Sequence, residues 1–268
     1  MTSTNHTTEN TTMTAQTLAR LRQLKLGGMA TALETQQEQP GTYEELAFIE
    51  RLGLLVEQEN QMREQRKQDR LVRQANFKLR ATIQEIDYQH PRNIQRAQVA
   101  QLAQGDWLAK AQNLLITGPC GSGKTYLACA LGHNACLQGH SVRYYRLTRL
   151  LLALTQAKAD GSYHKLLKQL ARVDLLILDD WGLETLQPAH RHDLMEIMDD
   201  RHGQTSTLVI SQLPIDQWYA TIGDNTLADA ILDRLMHNAH RLPLKGESMR
   251  KAQGKLTNVN TCATKPGQ

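Results

Sequence analysis

Two short stretches of the chain carry residue types that can do chemistry together. The first, GPCGSGKT over residues 118–125, follows an aliphatic run and leads into a helical pattern, the setting in which G-x-x-x-x-G-K-[ST] binds phosphate. Glycines at 118, 121 and 123 let backbone N–H groups wrap an anion, and the dipole of the following helix adds to the attraction. Lys124 is then placed to reach the β- and γ-phosphates of ATP, and the Thr125 hydroxyl to ligate Mg²⁺. The expected nucleotide-binding set is Gly118, Pro119, Cys120, Gly121, Ser122, Gly123, Lys124, Thr125 and Tyr126.

The second stretch is LLILDDWG, residues 175–182, in which four aliphatic residues run into two adjacent aspartates. Such a run reads as a strand buried on both faces; like charges at its end repel, and each costs several kcal/mol to desolvate. A cation at the strand end relieves both costs. A P-loop fold needs an acid on a second strand to order the Mg²⁺ shell, and Asp179 fits that place. Asp180, one residue on, is placed to polarise a water against the γ-phosphate. The competing reading is a turn whose second acid caps the helix beginning near Pro188.

Little else in the chain offers chemistry of its own. The cysteines, Cys120, Cys129, Cys136 and Cys262, have no CxxC spacing, which fits a reducing compartment and argues against a thiolate metal site. His190 and His192, two apart on a predicted helix, point to different faces. Outside the aspartate pair no group of carboxylates suggests a nuclease or recombinase. The 268 residues are 22% charged, and no apolar stretch approaches the ~18 residues of a membrane span. The start, MTSTNHTTENTTMT, lacks the apolar segment of a secretory signal, so residues 1–14 read as a disordered leader of a cytoplasmic protein.

The elements that must position these residues follow from the patterning. From Asn113 on, the runs NLLIT, SVRYY, DLLILDD and TLVIS alternate with helical segments, the signature of a parallel sheet covered by helices on both faces. The expected fold class is therefore α/β over residues 113–250, with Gly139 closing the helix after the phosphate loop and 251–268 a flexible tail. Residues 15–80 instead show helical periodicity, a small all-helical domain ending in a long basic helix. Pro40 and Gly41 interrupt it, and Thr42 is the expected N-cap, with Glu45 completing a capping box. Residues 81–112 read as a connector with a short helix over Ile94–Gln104.

Net charge is only +4, but it is unevenly spread. Between Gln61 and Arg80 there are seven lysines and arginines against two acids, and seven more cations lie between Ser141 and Arg172. Arg63, Arg66, Arg70 and Arg73 share one face of the predicted helix with Lys67 beside them, a stripe that can track DNA phosphates without reading bases. A solvated helix face is the alternative. Arg143, Arg146, Arg149, Lys158, Lys165 and Lys168 form the second candidate set, while Tyr144 and Tyr145 read as strand residues rather than stacking platforms. No recognition-helix or zinc motif is present, so little sequence preference is expected.

At this point the chain resembles a family. GPCGSGKT, LLILDDWG, TLVISQLP and ILDRLMHNAHRLPLKGESMR, with the leading LARLRQLKLGGMATAL, are similar to the IstB transposition-helper ATPases, AAA+ proteins close to the bacterial helicase loaders. The resemblance covers roughly residues 15–255; the phosphate-loop and aspartate motifs are common to many ATPases, and the helical leader, DDWG and GESMR narrow it. It implies a P-loop AAA+ core that uses ATP and Mg²⁺. It also implies a phosphate-sensing residue at Ser211 or Gln212, where the family usually has asparagine. Arg234 in ILDRLMH would be an arginine finger for a neighbouring subunit's γ-phosphate, and Arg250, with Arg241 as rival, a second sensor. A finger acting between subunits implies a homo-oligomer with ATP at its interfaces. Fewer than thirty residues follow Arg241, so no C-terminal lid domain is expected.

The implied function is that of an ATP-dependent regulator that oligomerises on duplex DNA, assists target selection and activates a cognate transposase. The alternative is a replicative helicase loader, distinguished by its protein partner. A small-molecule kinase on the same loop would need an acceptor pocket and a mobile arginine-bearing lid, and the sequence shows neither. AAA+ proteins commonly carry glutamate where this chain has Asp180, which raises the question of what a shorter acid does there.

Overall fold

The computed structural model describes residues 3–246, and the chain divides into two compact units that meet at Arg70 and Leu71. The first is all helical: α1 (Ser3–Gln23), α2 (Gly27–Glu38), α3 (Pro40–Tyr43) and most of α4 (Phe48–Ala75). Its Thr-rich start, expected as a disordered leader, is helical from Ser3; extending a helix already nucleated by later turns costs little per residue. Pro40 does break the pattern, but it does so by opening the short α3, which places Thr42 inside a helix instead of at a cap. The capping contact falls on α4, where Glu50 Oε2 accepts the Ala47 N–H at 2.7 Å.

Glu59 joins two helices of this unit. Buried on α4, it accepts the N–H groups of Gly28 at 2.7 Å and Met29 at 3.3 Å, and Arg63 Nε at 2.7 Å. The start of α2 has no side-chain cap of its own, so the neighbouring helix supplies the acceptor and a negative charge for the dipole. The Arg63 guanidinium, ahead of the two backbone donors, holds the Glu59 carboxyl below its ordinary range, against the opposing effect of burial.

The second unit begins with the last turn of α4 and a loop leading to α5 (Arg96–Gln104) and α6 (Asp106–Ala109). The α/β alternation follows: β1 (Asn113–Thr117), α7 (Lys124–Leu137), β2 (Val142–Arg146), α8 (Leu147–Asp160), α9 (Tyr163–Arg172) and β3 (Leu175–Trp181). It continues with α10 (Pro188–Arg201), β4 (Ser206–Ser211), α11 (Trp218–Ile222), α12 (Asn225–Met236) and β5 (Ala239–Pro243). The strands form one parallel sheet in the order β2-β3-β4-β1-β5. Leu114, Ile116, Ile177 and Leu208 bury against α7, and Leu115, Leu176, Leu178 and Val209 against the opposite helical layer. That two-sided burial is why the strands read as continuous apolar runs.

Residues 81–112, expected as a connector, contribute to the core of the second unit, as does the end of α4. Leu71, Ala75, Ala81, Ile86, Val99, Leu102 and Trp107 belong to the same apolar core as α7, so the division falls at Arg70 and not at residue 80. The apolar positions between 76 and 95 are too irregular for a helical or strand period, although Ala81 and Ile86 are buried and Phe77, Ile83, Tyr88 and Ile94 pack partly buried against the core. At the N-terminal ends of β3 and β4, the buried Arg201 donates to the carbonyls of Leu170, Val173 and Ser206 and to the Thr207 hydroxyl.

At the other end the strands finish together. Thr117 pairs with Ser211 and Pro243, Arg146 with Asp179, and Trp181 with Ser211, so every loop leaving this edge converges on one crevice. One irregularity interrupts the register: Leu178 faces Val209 but Trp181 faces Ser211, a bulge that places one extra residue on β3.

Replacing Glu59 by alanine strands two N–H donors and Arg63, and is expected to destabilise the chain by ~1–3 kcal/mol at neutral pH in urea denaturation. Because the folded carboxyl is depressed, its contribution is present above the ordinary value near 4.5 and lost as pH falls through the depressed one. The gap between wild type and variant therefore closes on acidification and stays constant on alkaline titration.

Candidate nucleotide-binding site

The phosphate loop leaves β1 under tight backbone constraint. Gly118 N–H donates to the Ser211 carbonyl at 3.2 Å, Leu244 N–H to Thr117 at 2.7 Å, and a Cβ on Gly118 would come within 2.4 Å of the Leu244 carbonyl oxygen. Only glycine fits there. Gly123, at φ +88°, turns the chain into α7 so that the first turn of N–H groups opens on the loop. Lys124 Nζ donates to the carbonyls of Gly118 at 2.6 Å and Pro119 at 2.8 Å, which fixes the lysine across the loop it must serve. Burial pulls its pKa down, and Cys120, Asp179 and Asp180 oppose that. Arg92, buried in the segment expected as a connector, braces the loop by donating to the Ser122 carbonyl at 3.2 Å.

The two aspartates at the end of β3 are turned to different surroundings. Asp179 stays in phase with Ile177 on the α7 side and is 1% exposed. Its Oδ2 accepts the Thr125 hydroxyl at 2.9 Å and the Tyr144 phenol at 2.6 Å, its Oδ1 accepts the Asp180 N–H at 2.8 Å, and Lys78 Nζ lies 3.9 Å away. Asp180 lies in the bulge at φ +62°. Half-buried, it has Arg146 Nε 3.6 Å from its Oδ2. It does not cap the next helix: α10 opens on Pro188 and has no side-chain cap. The left-handed backbone tolerates aspartate better than longer or branched side chains, which accounts for a short acid at this position.

These groups line a cavity of about 560 Å³, within the usual range of about 300–1,000 Å³ for ligand pockets. It is lined by the phosphate loop and the start of α7, both aspartates, and Ile210, Ser211 and Gln212, together with Lys78, Leu79, Glu85, Asp87 and Arg92. Tyr126 OH reaches Glu85 at 3.1 Å. A hydroxyl and a carboxylate held together beside a phosphate loop are the hard oxygen donors Mg²⁺ takes. Among the described residues no group of three or more His, Cys, Asp or Glu is placed to hold a metal ion.

The family model for IstB-like ATP binding proteins matches residues 19–257. The chain belongs to this family. It is 48% identical over 237 residues to an insertion-sequence ATP-binding protein of Sinorhizobium fredii, covering 88% of this chain and 96% of that one. It is 50% identical over 203 residues to the insertion sequence IS1162 ATP-binding protein of Pseudomonas fluorescens, covering 75% and 87%. Among solved structures the DnaC helicase loader superposes with a TM-score of 0.51 at 20% identity, over 62% of this chain and 97% of that one, a similarity of fold. This IstB-like chain is thus an AAA+ P-loop ATPase that binds ATP.

Within the IstB-like framework the remaining sequence candidates separate. Ser211 and Gln212 both line the cavity; Ser211 is buried, its hydroxyl donating to the Trp181 carbonyl at 2.8 Å and accepting the Leu213 N–H at 3.0 Å, while Gln212 is exposed. Arg234 pairs with Asp199 through Nε at 2.8 Å and Nη2 at 2.7 Å. Its carbonyl accepts Asn113 Nδ2 at the N-terminal end of β1, across the sheet from the phosphate loop. Arg241 is exposed on the edge strand β5, and Arg250 lies outside the described residues. Of the basic candidates, Arg63 serves Glu59, Arg143 binds the Gln74 carbonyl, Arg146 faces Asp180, and Lys158 pairs with the buried Asp193. Arg66, Lys67, Arg70, Arg73, Arg149, Lys165 and Lys168 project from exposed positions, Lys67 with Glu64 at 3.9 Å. Sequence reading missed Tyr144, Lys78 and Arg92, none of which lies in a recognisable motif.

The bulge gives a stability test. Asp180→Asn and Asp180→Gly, which suit a left-handed backbone, are expected to melt close to wild type. Asp180→Val is expected to lose ~1–2 kcal/mol in thermal or urea denaturation. Equal melting of all three would remove the backbone explanation for aspartate.

Proposed function

We propose that the chain is the ATP-dependent helper of an insertion sequence: it assembles on duplex DNA when ATP is bound, assists target selection and engages a cognate transposase that performs the cutting and joining. What carries this reading is a P-loop ATPase site within a chain similar, over 88% of its length, to an insertion-sequence ATP-binding protein. The similarity to the DnaC loader is one of fold at 20% identity and brings no partner with it.

In this reading Lys124 and the loop N–H groups hold the phosphates, Thr125 and Asp179 hold the ion, and Asp180 accepts a proton from the attacking water. Mg²⁺ bound with ATP neutralises charge on the phosphates. Gln212, on the cavity wall, is favoured as the phosphate-sensing residue over the internally satisfied Ser211. The placement of Arg234 across the sheet supports a finger directed at another subunit, with Asp199 as its resting partner. Completion of the site by a neighbour couples nucleotide binding to assembly by mass action. Arg66, Arg70, Arg149 and Lys165 are the foremost phosphate contacts for DNA, which would give steep salt dependence and little base preference.

Size-exclusion chromatography with duplex DNA is expected to show large complexes with ATP and none for Lys124→Ala. Arg234→Ala should bind ATP but hydrolyse it roughly 10³-fold more slowly. Mixing Lys124→Ala, which keeps the arginine, with Arg234→Ala, which keeps the loop, should restore part of the hydrolysis. Identical assemblies without nucleotide, or no recovery on mixing, would contradict the reading.

A further inference from the structure

The Tyr144 hydroxyl is explained neither by packing nor by the loop motif. The residue lies on β2 in phase with Val142, 6% exposed, its ring among the apolar side chains of the α7 layer. A phenylalanine would fill that space equally well. What the hydroxyl adds is one bond, 2.6 Å long, to Asp179 Oδ2. That oxygen also accepts the Thr125 hydroxyl at 2.9 Å, so both of its lone-pair directions are used, while Oδ1 accepts the Asp180 N–H at 2.8 Å. Lys78 Nζ, at 3.9 Å, is beyond hydrogen-bond distance and adds charge without fixing orientation. Three donors from three elements, α7, β2 and β3 itself, therefore set the rotation of one carboxylate.

We propose that Tyr144 is a positioning residue for the metal shell: its phenol locks the Asp179 carboxylate in the rotation that holds the Thr125 hydroxyl, so that the pair is preorganised for a divalent cation. The inference rests on the reading of Asp179 and Thr125 as the groups that hold the ion. Partners that orient metal-holding groups in this way typically change metal affinity by about 10–100-fold when removed.

The test is the Mg²⁺ dependence of nucleotide binding, which needs no turnover. A fluorescent N-methylanthraniloyl-ATP is bound to the full chain, Mg²⁺ is titrated in, and the midpoint is read for wild type and Tyr144→Phe. The variant's midpoint is expected about 10-fold higher, with binding of the Mg²⁺-free analogue unchanged. In an Asp179→Asn background, Tyr144→Phe is expected to shift the midpoint no further, because the phenol acts through the carboxylate. A Tyr144→Phe midpoint equal to or below wild type, or a further shift in the Asp179→Asn background, overturns the proposal. Wild-type binding that is indifferent to Mg²⁺ and to Asp179→Asn would instead overturn the reading of Asp179. Should Tyr144→Phe melt early, Mn²⁺ electron paramagnetic resonance at low temperature on the folded fraction reads the same affinity, with the same two outcomes.

Discussion

Between Leu178 and Trp181 the third strand carries one residue more than the strand beside it, and that residue is Asp180. Without the bulge, period-two alternation would put Asp180 on the helical layer that holds Leu178, and Trp181 on the α7 side with Asp179. With it, Trp181 enters the core beside Trp218, Asp179 keeps its place behind the phosphate loop, and Asp180 is turned out at the rim. Two adjacent carboxylates that would otherwise repel at one spot thereby acquire separate partners: hydroxyls and an N–H for Asp179, a guanidinium for Asp180. The left-handed backbone that this requires also selects the side chain. Aspartate is among the few residues that tolerate it, so the shorter acid follows from the strand geometry before any demand of catalysis.

The rest of the site is organised around the buried member of the pair. Asp179 is reached from α7 through Thr125, from β2 through Tyr144, and from the loop after α4 through Lys78. The parallel sheet makes this possible because all its strands end on one edge, and the 71–112 segment packs into the α7 core, where Arg92 supports the loop from within. A buried carboxylate with this many donors is held in one rotation, and preorganisation of that kind is what a phosphoryl-transfer site needs from its scaffold.

The phosphate loop, the aspartate pair and the parallel sheet were legible because each has a local signature: glycine spacing, charge at the end of an apolar run, and strand–helix alternation. What could not be read lies in contacts between positions distant in sequence. Residues 76–95 lack a period but contribute Ala81, Ile86 and Arg92 to the core and the loop. Tyr144 looks like any strand aromatic until β2 is known to lie beside β3. The basic positions were picked out by spacing and local charge alone, yet Arg63, Arg143 and Lys158 are engaged by Glu59, the Gln74 carbonyl and Asp193, partners that only the folded chain supplies. Thr42 failed as a cap because Pro40 started a helix of its own two residues earlier.

The division of labour within the aspartate pair is most directly tested by measuring, on the same preparations, Mg²⁺-dependent ATP binding and steady-state hydrolysis for Asp180→Asn. Asparagine keeps the left-handed backbone and removes only the charge. The account predicts binding at wild-type affinity with hydrolysis slower by roughly 10²-fold or more. Hydrolysis at the wild-type rate, or loss of binding in step with hydrolysis, would contradict it.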